Sequence, residues 1–156
     1  MMLDGGRIAD ELYEMAAAPA DAILHRAVQR LHLSGEPYDW VGIYLLSGQH
    51  LVLHSYIGQP TQQGRIAVGQ GLCGTAVSEN RDMNIPDVAA MSDHVTRDDE
   101  TRSETVVRVR HGECIVGVID IESRAAAAFA EETERELRLI ADALGELVGP
   151  RLRQQS

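Results

Sequence analysis

Residues 38–58, YDWVGIYLLSGQHLVLHSYIG, hold two apolar runs rich in aromatic and β-branched residues, joined at Ser47-Gly48. Runs of this composition around a glycine turn predict an antiparallel β-hairpin. Side chains alternate along a strand, so Trp40, Gly42 and Tyr44 share one face of the first strand while Val41, Ile43 and Leu45 share the other. The aliphatic set predicts the core side. Residues 104–123, ETVVRVRHGECIVGVIDIES, predict a second hairpin that turns at His111-Gly112. In its last strand Ile115, Gly117, Ile119 and Ile121 form an aliphatic face, which leaves Val116, Val118, Asp120 and Glu122 opposite.

Outside the hairpins the apolar period changes from two to that of a helix. Ile8, Leu12 and Met15 predict one amphipathic helix, and Ile23, Leu24, Ala27, Val28 and Leu31 a second. Leu137, Ile140, Ala141, Leu144, Leu147 and Val148 form the stripe of a long closing helix. RIAVGQG from Arg65 is a short strand entering a glycine loop, CGTAVSEN from Cys73 a short helix, and Met83 to Ile85 a further strand. The polar stretch 86–103 is a candidate lid. The expected fold class is α+β: an antiparallel sheet with the terminal helices packed on one face and a loop-covered ligand pocket on the other. The expected organisation is a single domain over 1–156, with N-terminal helices in 1–35, sheet and pocket in 36–124, and the C-terminal helix in 125–156.

The formal net charge is −10, from 24 acidic residues against 14 basic ones, and the sequence contains no lysine. Schiff-base and lysine-nucleophile chemistry are therefore excluded. With no basic cluster to meet phosphates, nucleic acid and anionic membrane are not expected partners. Cys73 and Cys114 have neither disulfide-scaffold nor zinc-site spacing, and no apolar run has the length of a membrane span. The opening MMLDGGRIADEL is acidic and helical where a signal peptide is basic and then apolar. A cytoplasmic location is the expectation.

Two carboxylates near the end of a buried strand are costly unless they bind something. Asp120 and Glu122, with Trp40, Tyr44 and Glu104, thus describe one side of a small polar pocket for a small-molecule ligand. Cys73 stands between glycines just ahead of a helix, where a thiol is either activated as a nucleophile or merely packed. His94, beside Asp93 and Asp98, has no second histidine at ligand spacing, so no metal is expected; nor does any phosphate or cofactor fingerprint occur, so no cofactor is expected.

YDWVGIYLL, GQGLCGTA, IPDV, RSETVV and GVIDIES occur in this order and spacing, and together resemble a GAF domain of the free methionine-(R)-sulfoxide reductase type over residues 36–148. The resemblance implies an antiparallel sheet with a pocket for a free amino acid sulfoxide, and carries the site onto Trp40, Tyr44, Glu104, Asp120 and Glu122. It implies a departure as well. The family's nucleophilic cysteine, in a motif written roughly GHIACD, falls on Arg97 of DHVTRD, and a second family cysteine falls near Gln63 of PTQQGRI, leaving Cys73. Arginine is no nucleophile at ordinary pH. Two functions remain open: a non-catalytic module that binds an amino acid or methionine sulfoxide, or a divergent free methionine-(R)-sulfoxide reductase using Cys73. A sensing role needs a partner chain, and Ile8, Leu12, Met15, Ile140, Leu144, Leu147 and Val148 offer the surface of an expected homodimer.

Overall fold

The computed structural model describes residues 2–91 and 100–153. Among them, strands β1 (Trp40–Ser47), β2 (His50–Ile57), β3 (Arg65–Ala67), β4 (Met83–Ile85), β5 (Ser103–His111) and β6 (Cys114–Ser123) form one sheet in the order β3-β2-β1-β6-β5-β4. Every pairing is antiparallel. The helices are α1 (Gly5–Glu14), α2 (Ala20–His32), α3 (Gly71–Ser78) and α4 (Glu131–Arg153). Both hairpins close through two residues, Gly48-Gln49 and Gly112-Glu113, and Gly48 (φ +60°) and Gly112 (φ +62°) supply the left-handed backbone these turns need. Of the candidate lid, residues 92–99 lie outside the described residues; Val88–Ala90 make one 3₁₀ turn capped by Asp87, whose side chain accepts from the Ala89 N–H.

Strand alternation separates two apolar layers. On one face α1, α2 and α4 pack Ile8, Leu12, Leu24, Leu31, Ile140 and Leu144 against Val41, Ile43, Val107, Ile119 and Ile121. On the other, α3 packs Leu72, Cys73 and Ala76 against Trp40, Tyr44, Val106 and Val118. The apolar stripe on which the expected homodimer rests is covered inside the one chain: Ile8, Leu12, Ile140, Leu144 and Val148 are buried, and Met15 and Leu147 half-buried. No helix of the described residues is long and apolar enough to cross a membrane.

One face assignment is corrected. Val116 belongs to the helix-side layer, not to the face of Asp120 and Glu122. The register of β5 against β6 passes from Val109↔Gly117 to Arg110↔Ile115, so Val116 is the extra residue of a bulge. Such an insertion reverses the alternation beyond it, which period-two reading cannot anticipate.

Close backbone approaches fix how the layers meet. A β-carbon at Gly145 of α4 would overlap the Arg110 carbonyl of β5, and one at Gly117 would overlap the Tyr44 carbonyl of β1. At the sheet edge Asp82 gathers three bonds: from Arg108 N (3.0 Å) and Nε (2.8 Å), and from Arg138 Nη2 (2.6 Å) of α4. Burial pushes the Asp82 carboxyl up, but the bonds from Arg108 and Arg138 outweigh it and hold the group below its ordinary value.

Gly145→Ala should lower stability by about 2–3 kcal/mol, because the obstructing atom is backbone and the overlap outweighs the ~1 kcal/mol that alanine gains in a helix. Gly64→Ala, whose β-carbon meets nothing within 4 Å, should stay within about 0.5 kcal/mol of wild type. Urea unfolding checks both. A carboxyl lowered as Asp82 is stabilises the fold above its unfolded value near pH ~4 and loses that contribution as pH falls through its folded value. Asp82→Asn should therefore cost about 1–2 kcal/mol at pH 7, a figure discounted for the 37% exposure of the side chain. The gap from wild type should close as the pH drops below about 4.

Candidate functional site

The pairings β1–β6 and β6–β5 place Trp40, Glu122 and Glu104 in one row across three strands, with Gly42, Asp120 and Val106 in the next row on the same face. Directly opposed residues have β-carbons about 4.5–5.5 Å apart, and like charges so placed repel. Glu104, Asp120 and Glu122 are nevertheless at most 2% exposed. The register of the strands has therefore built a buried carboxylate cluster between the two most central pairings of its sheet.

Helix α3 brings a fourth group. Gly69 (φ +93°) and Gly71 (φ +63°) turn the chain out of β3 into α3, and Gly74 lies too close to the Ala67 carbonyl for any side chain. The helix thereby sits tight on the sheet and aims its first turn at the carboxylates. The Cys73 sulfur and carboxylate oxygens of Glu104 and Asp120 all lie within 4.8 Å of one another, and all three residues are buried. These are donor types that ligate zinc and similar cations, so the residues fit a metal at a place other than His94.

A cavity of about 210 Å³ opens beside this cluster, lined by Gln63, Arg65, Ile66, Gln70, Gly71, Leu72, Cys73 and Glu104. That volume lies below the ~300–1,000 Å³ of drug-sized sites and suits a small metabolite. Its rim, at Arg65, Gln70 and Gly71, is exposed, and its floor, at Leu72, Cys73 and Glu104, is buried.

Trp40 and Tyr44 take their expected face, in the layer that α3 covers. Both are buried, at 3% and 0% exposure, in the apolar layer under α3. Trp40 Nε1 donates to the Gln59 carbonyl (3.0 Å) and Tyr44 Oη to the Gln63 carbonyl (2.8 Å), so the aromatic pair ties down the segment between β2 and β3 that forms one cavity wall. The indole lies over Gly42, where a β-carbon would overlap it.

Of the site residues expected from sequence, Cys73 and Glu104 line the cavity, Asp120 adjoins them, and Glu122 pairs with both Trp40 and Glu104. Arg97 and His94 lie outside the described residues. Cys114 is exposed at the start of β6, six residues and on the order of 20 Å of strand from Asp120. A disulfide needs α-carbons within about 7 Å, so Cys114 cannot resolve an oxidised Cys73 in this fold. Arg65 and Gln70 were not singled out by the sequence reading, and Gln63 only as the place where a second family cysteine falls; the available signal was a lone arginine opening the strand that runs into the glycine loop.

A six-stranded antiparallel sheet with its long helices on one face and a small acid-floored cavity under a short helix on the other defines an α+β domain built around a pocket. The chain belongs to the GAF domain family, whose model matches residues 19–149. It is 39% identical over 100 residues to the free methionine-R-sulfoxide reductase of Escherichia coli (strain K12), covering 64% of this chain and 60% of that protein. The chain thus spans less than two thirds of that relative. The structure of the type II free methionine-R-sulfoxide reductase from Thermoplasma acidophilum matches with a TM-score of 0.80 at 37% identity, over 84% of this chain and 93% of that one. A protein described as a GAF sensor from Burkholderia vietnamiensis matches with a TM-score of 0.86 at 26% identity, over 96% of each chain. The likeness runs to reductases and to sensor proteins alike.

Tyr44→Phe should lower stability by about 1–2 kcal/mol, since it removes the donor to a partly buried carbonyl and leaves the ring in place. Hydrogen exchange of residues 58–64 should quicken in the variant while the β1–β6 amides keep wild-type protection.

Proposed function

We propose that the chain is a non-catalytic GAF domain that binds a small amino-acid-like molecule, a free amino acid or methionine sulfoxide, through the ligand's ammonium group on Glu104, Asp120 and Glu122. The observation that carries this reading is the convergence of buried carboxylates and the Cys73 thiol beside a cavity of about 210 Å³. Such a cluster favours a positive group, and an ammonium brings three donors to it. The family likeness to proteins named for free methionine sulfoxide supports the ligand class. Dimerisation through α1 and α4 is not included, because the residues proposed to drive it are buried within one chain.

The second reading, a divergent free methionine-(R)-sulfoxide reductase, is favoured by the place of Cys73 in the cavity wall. In that chemistry the thiol sulfur takes the sulfoxide oxygen and becomes a sulfenic acid as methionine leaves; an external thiol then condenses with the sulfenic acid to a mixed disulfide with loss of water, and a second thiol releases Cys73 as the external disulfide forms. One feature weighs against it: Cys114 is out of reach as a resolving thiol.

Trp40 is the only tryptophan, and its emission should change on titration with free methionine sulfoxide. Asp120→Ala should lose the response, with binding weaker by about 2–4 kcal/mol for a buried ammonium left without its partner. An unchanged titration in that variant would show that the carboxylates are not the site. Purified wild type with dithiothreitol should consume no more methionine-(R)-sulfoxide than Cys73→Ser does; faster turnover by wild type would establish the reductase.

A further inference from the structure

On the helix side of the sheet, across it from the cavity, two histidines and an aspartate meet at the surface. Asp21 and His25 stand four residues apart on α2, which puts them one turn apart on one face of the helix. His54 of β2 comes up against both: its Nε2–H donates to Asp21 Oδ1 (2.8 Å), and its ring centroid lies 5.0 Å from that of His25. We propose that Asp21, His25 and His54 form a site for a divalent transition metal of the zinc class, held between α2 and β2 and independent of the ligand cavity.

The strand is shaped for this role. Consecutive side chains of a regular strand point to opposite faces, yet His54 Nδ1 lies 3.2 Å from Ser55 Oγ. The register of β1 against β2 passes from Ile43↔Ser55 to Tyr44↔Leu53, so His54 is the extra residue of a bulge, which turns its ring to the side of Ser55 and α2. Ser55 is buried and the His54 side chain only 13% exposed, whereas Asp21 and His25 are exposed. One ring nitrogen is thus held from within while the other is presented to the helix, the outer support that fixes a metal-ligating histidine. A hydroxyl serves either tautomer: it donates to Nδ1 while Nε2 carries the proton, and accepts from Nδ1–H once a metal replaces that proton. Two imidazoles and a carboxylate suit zinc, cobalt or nickel and leave a fourth position to water. Two imidazoles on one tetrahedral ion at ~2.0–2.1 Å have centroids about 5 Å apart, which is the spacing present. The bond from His54, and after it the charges of His54 and His25, hold the Asp21 carboxyl below its ordinary value, so the third donor is anionic at neutral pH. Closing the set takes a turn of the exposed His25 ring, which no hydrogen bond among the described residues restrains.

The test is isothermal titration of the full chain with zinc chloride in wild type, His25→Ala, His54→Ala, Ser55→Ala and Cys73→Ser, with excess Mg2+ present to occupy sites made of carboxylates alone. Wild type should bind one zinc ion that Cys73→Ser keeps, because that thiol lies in the layer under α3 on the other face of the sheet. His25→Ala and His54→Ala should each weaken binding of this ion by about 100-fold, and Ser55→Ala, which removes only the support of the ring, by about tenfold, the low end for an outer partner of a ligating histidine. His25 is exposed, so His25→Ala reads the site even where His54→Ala disturbs the strand. No zinc bound by wild type, zinc bound as tightly by His25→Ala as by wild type, or binding lost only in Cys73→Ser overturns the site. None of these outcomes touches the ammonium reading, whose carboxylates lie across the sheet.

Discussion

The pairing of β1 with β6 is the constraint from which the rest of the architecture follows. It joins the two predicted hairpins into one sheet and sets Trp40 against Glu122 and Gly42 against Asp120. A slip of one residue would carry Ile119 and Ile121 out of the helix-side core and the carboxylates into it. The register is held from several sides: by the glycine turns at Gly48 and Gly112, by Gly117, which lets β6 approach the Tyr44 carbonyl, and by bulges at His54 in β2 and Val116 in β6. The aliphatic face alone gives the register a strong energetic preference, since each large side chain removed from water contributes roughly 1.5–3 kcal/mol.

That preference is what makes a buried acidic cluster tolerable on the opposite face. Carboxylates at 0–2% exposure are unfavourable by themselves, and they sit where the helix-side core most firmly dictates strand position. The carboxylates are thus held in place by residues that never touch them. The same separation of duties appears in the aromatic pair. Trp40 and Tyr44 use their polar atoms to tether the segment after β2, so the cavity wall is positioned by side chains lying beneath it.

The fold is shared with a protein named as a reductase and with one described as a GAF sensor, so the fold does not decide between the two readings. The place of Cys73 bears on the choice more directly: its sulfur, in the first turn of α3, meets the buried carboxylate oxygens of Glu104 and Asp120 within 4.8 Å, so the thiol of one reading and the carboxylates of the other stand at the same site.

The sequence by itself determined the elements, their order, the antiparallel character of the sheet and the face on which Asp120 and Glu122 lie, because these follow from local periodicity and from glycine at two-residue turns. It also carried the family likeness, since five motifs in register coincide with the strands and the glycine loop. It could not fix the parity of Val116, because a bulge is a property of the pair of strands and not of either one. It missed the internal covering of the apolar stripes, because whether Ile8 and Leu144 meet a second copy or one another depends on how helices dock across the sheet. That Trp40 and Tyr44 also tether the segment after β2 was not legible in the sequence, because alternation gives a side chain's face and not its depth or its hydrogen-bond partner. The meeting of Cys73 with Glu104 and Asp120 beside the cavity was settled only by tertiary structure, which brings residues dozens of positions apart to within reach of one ligand.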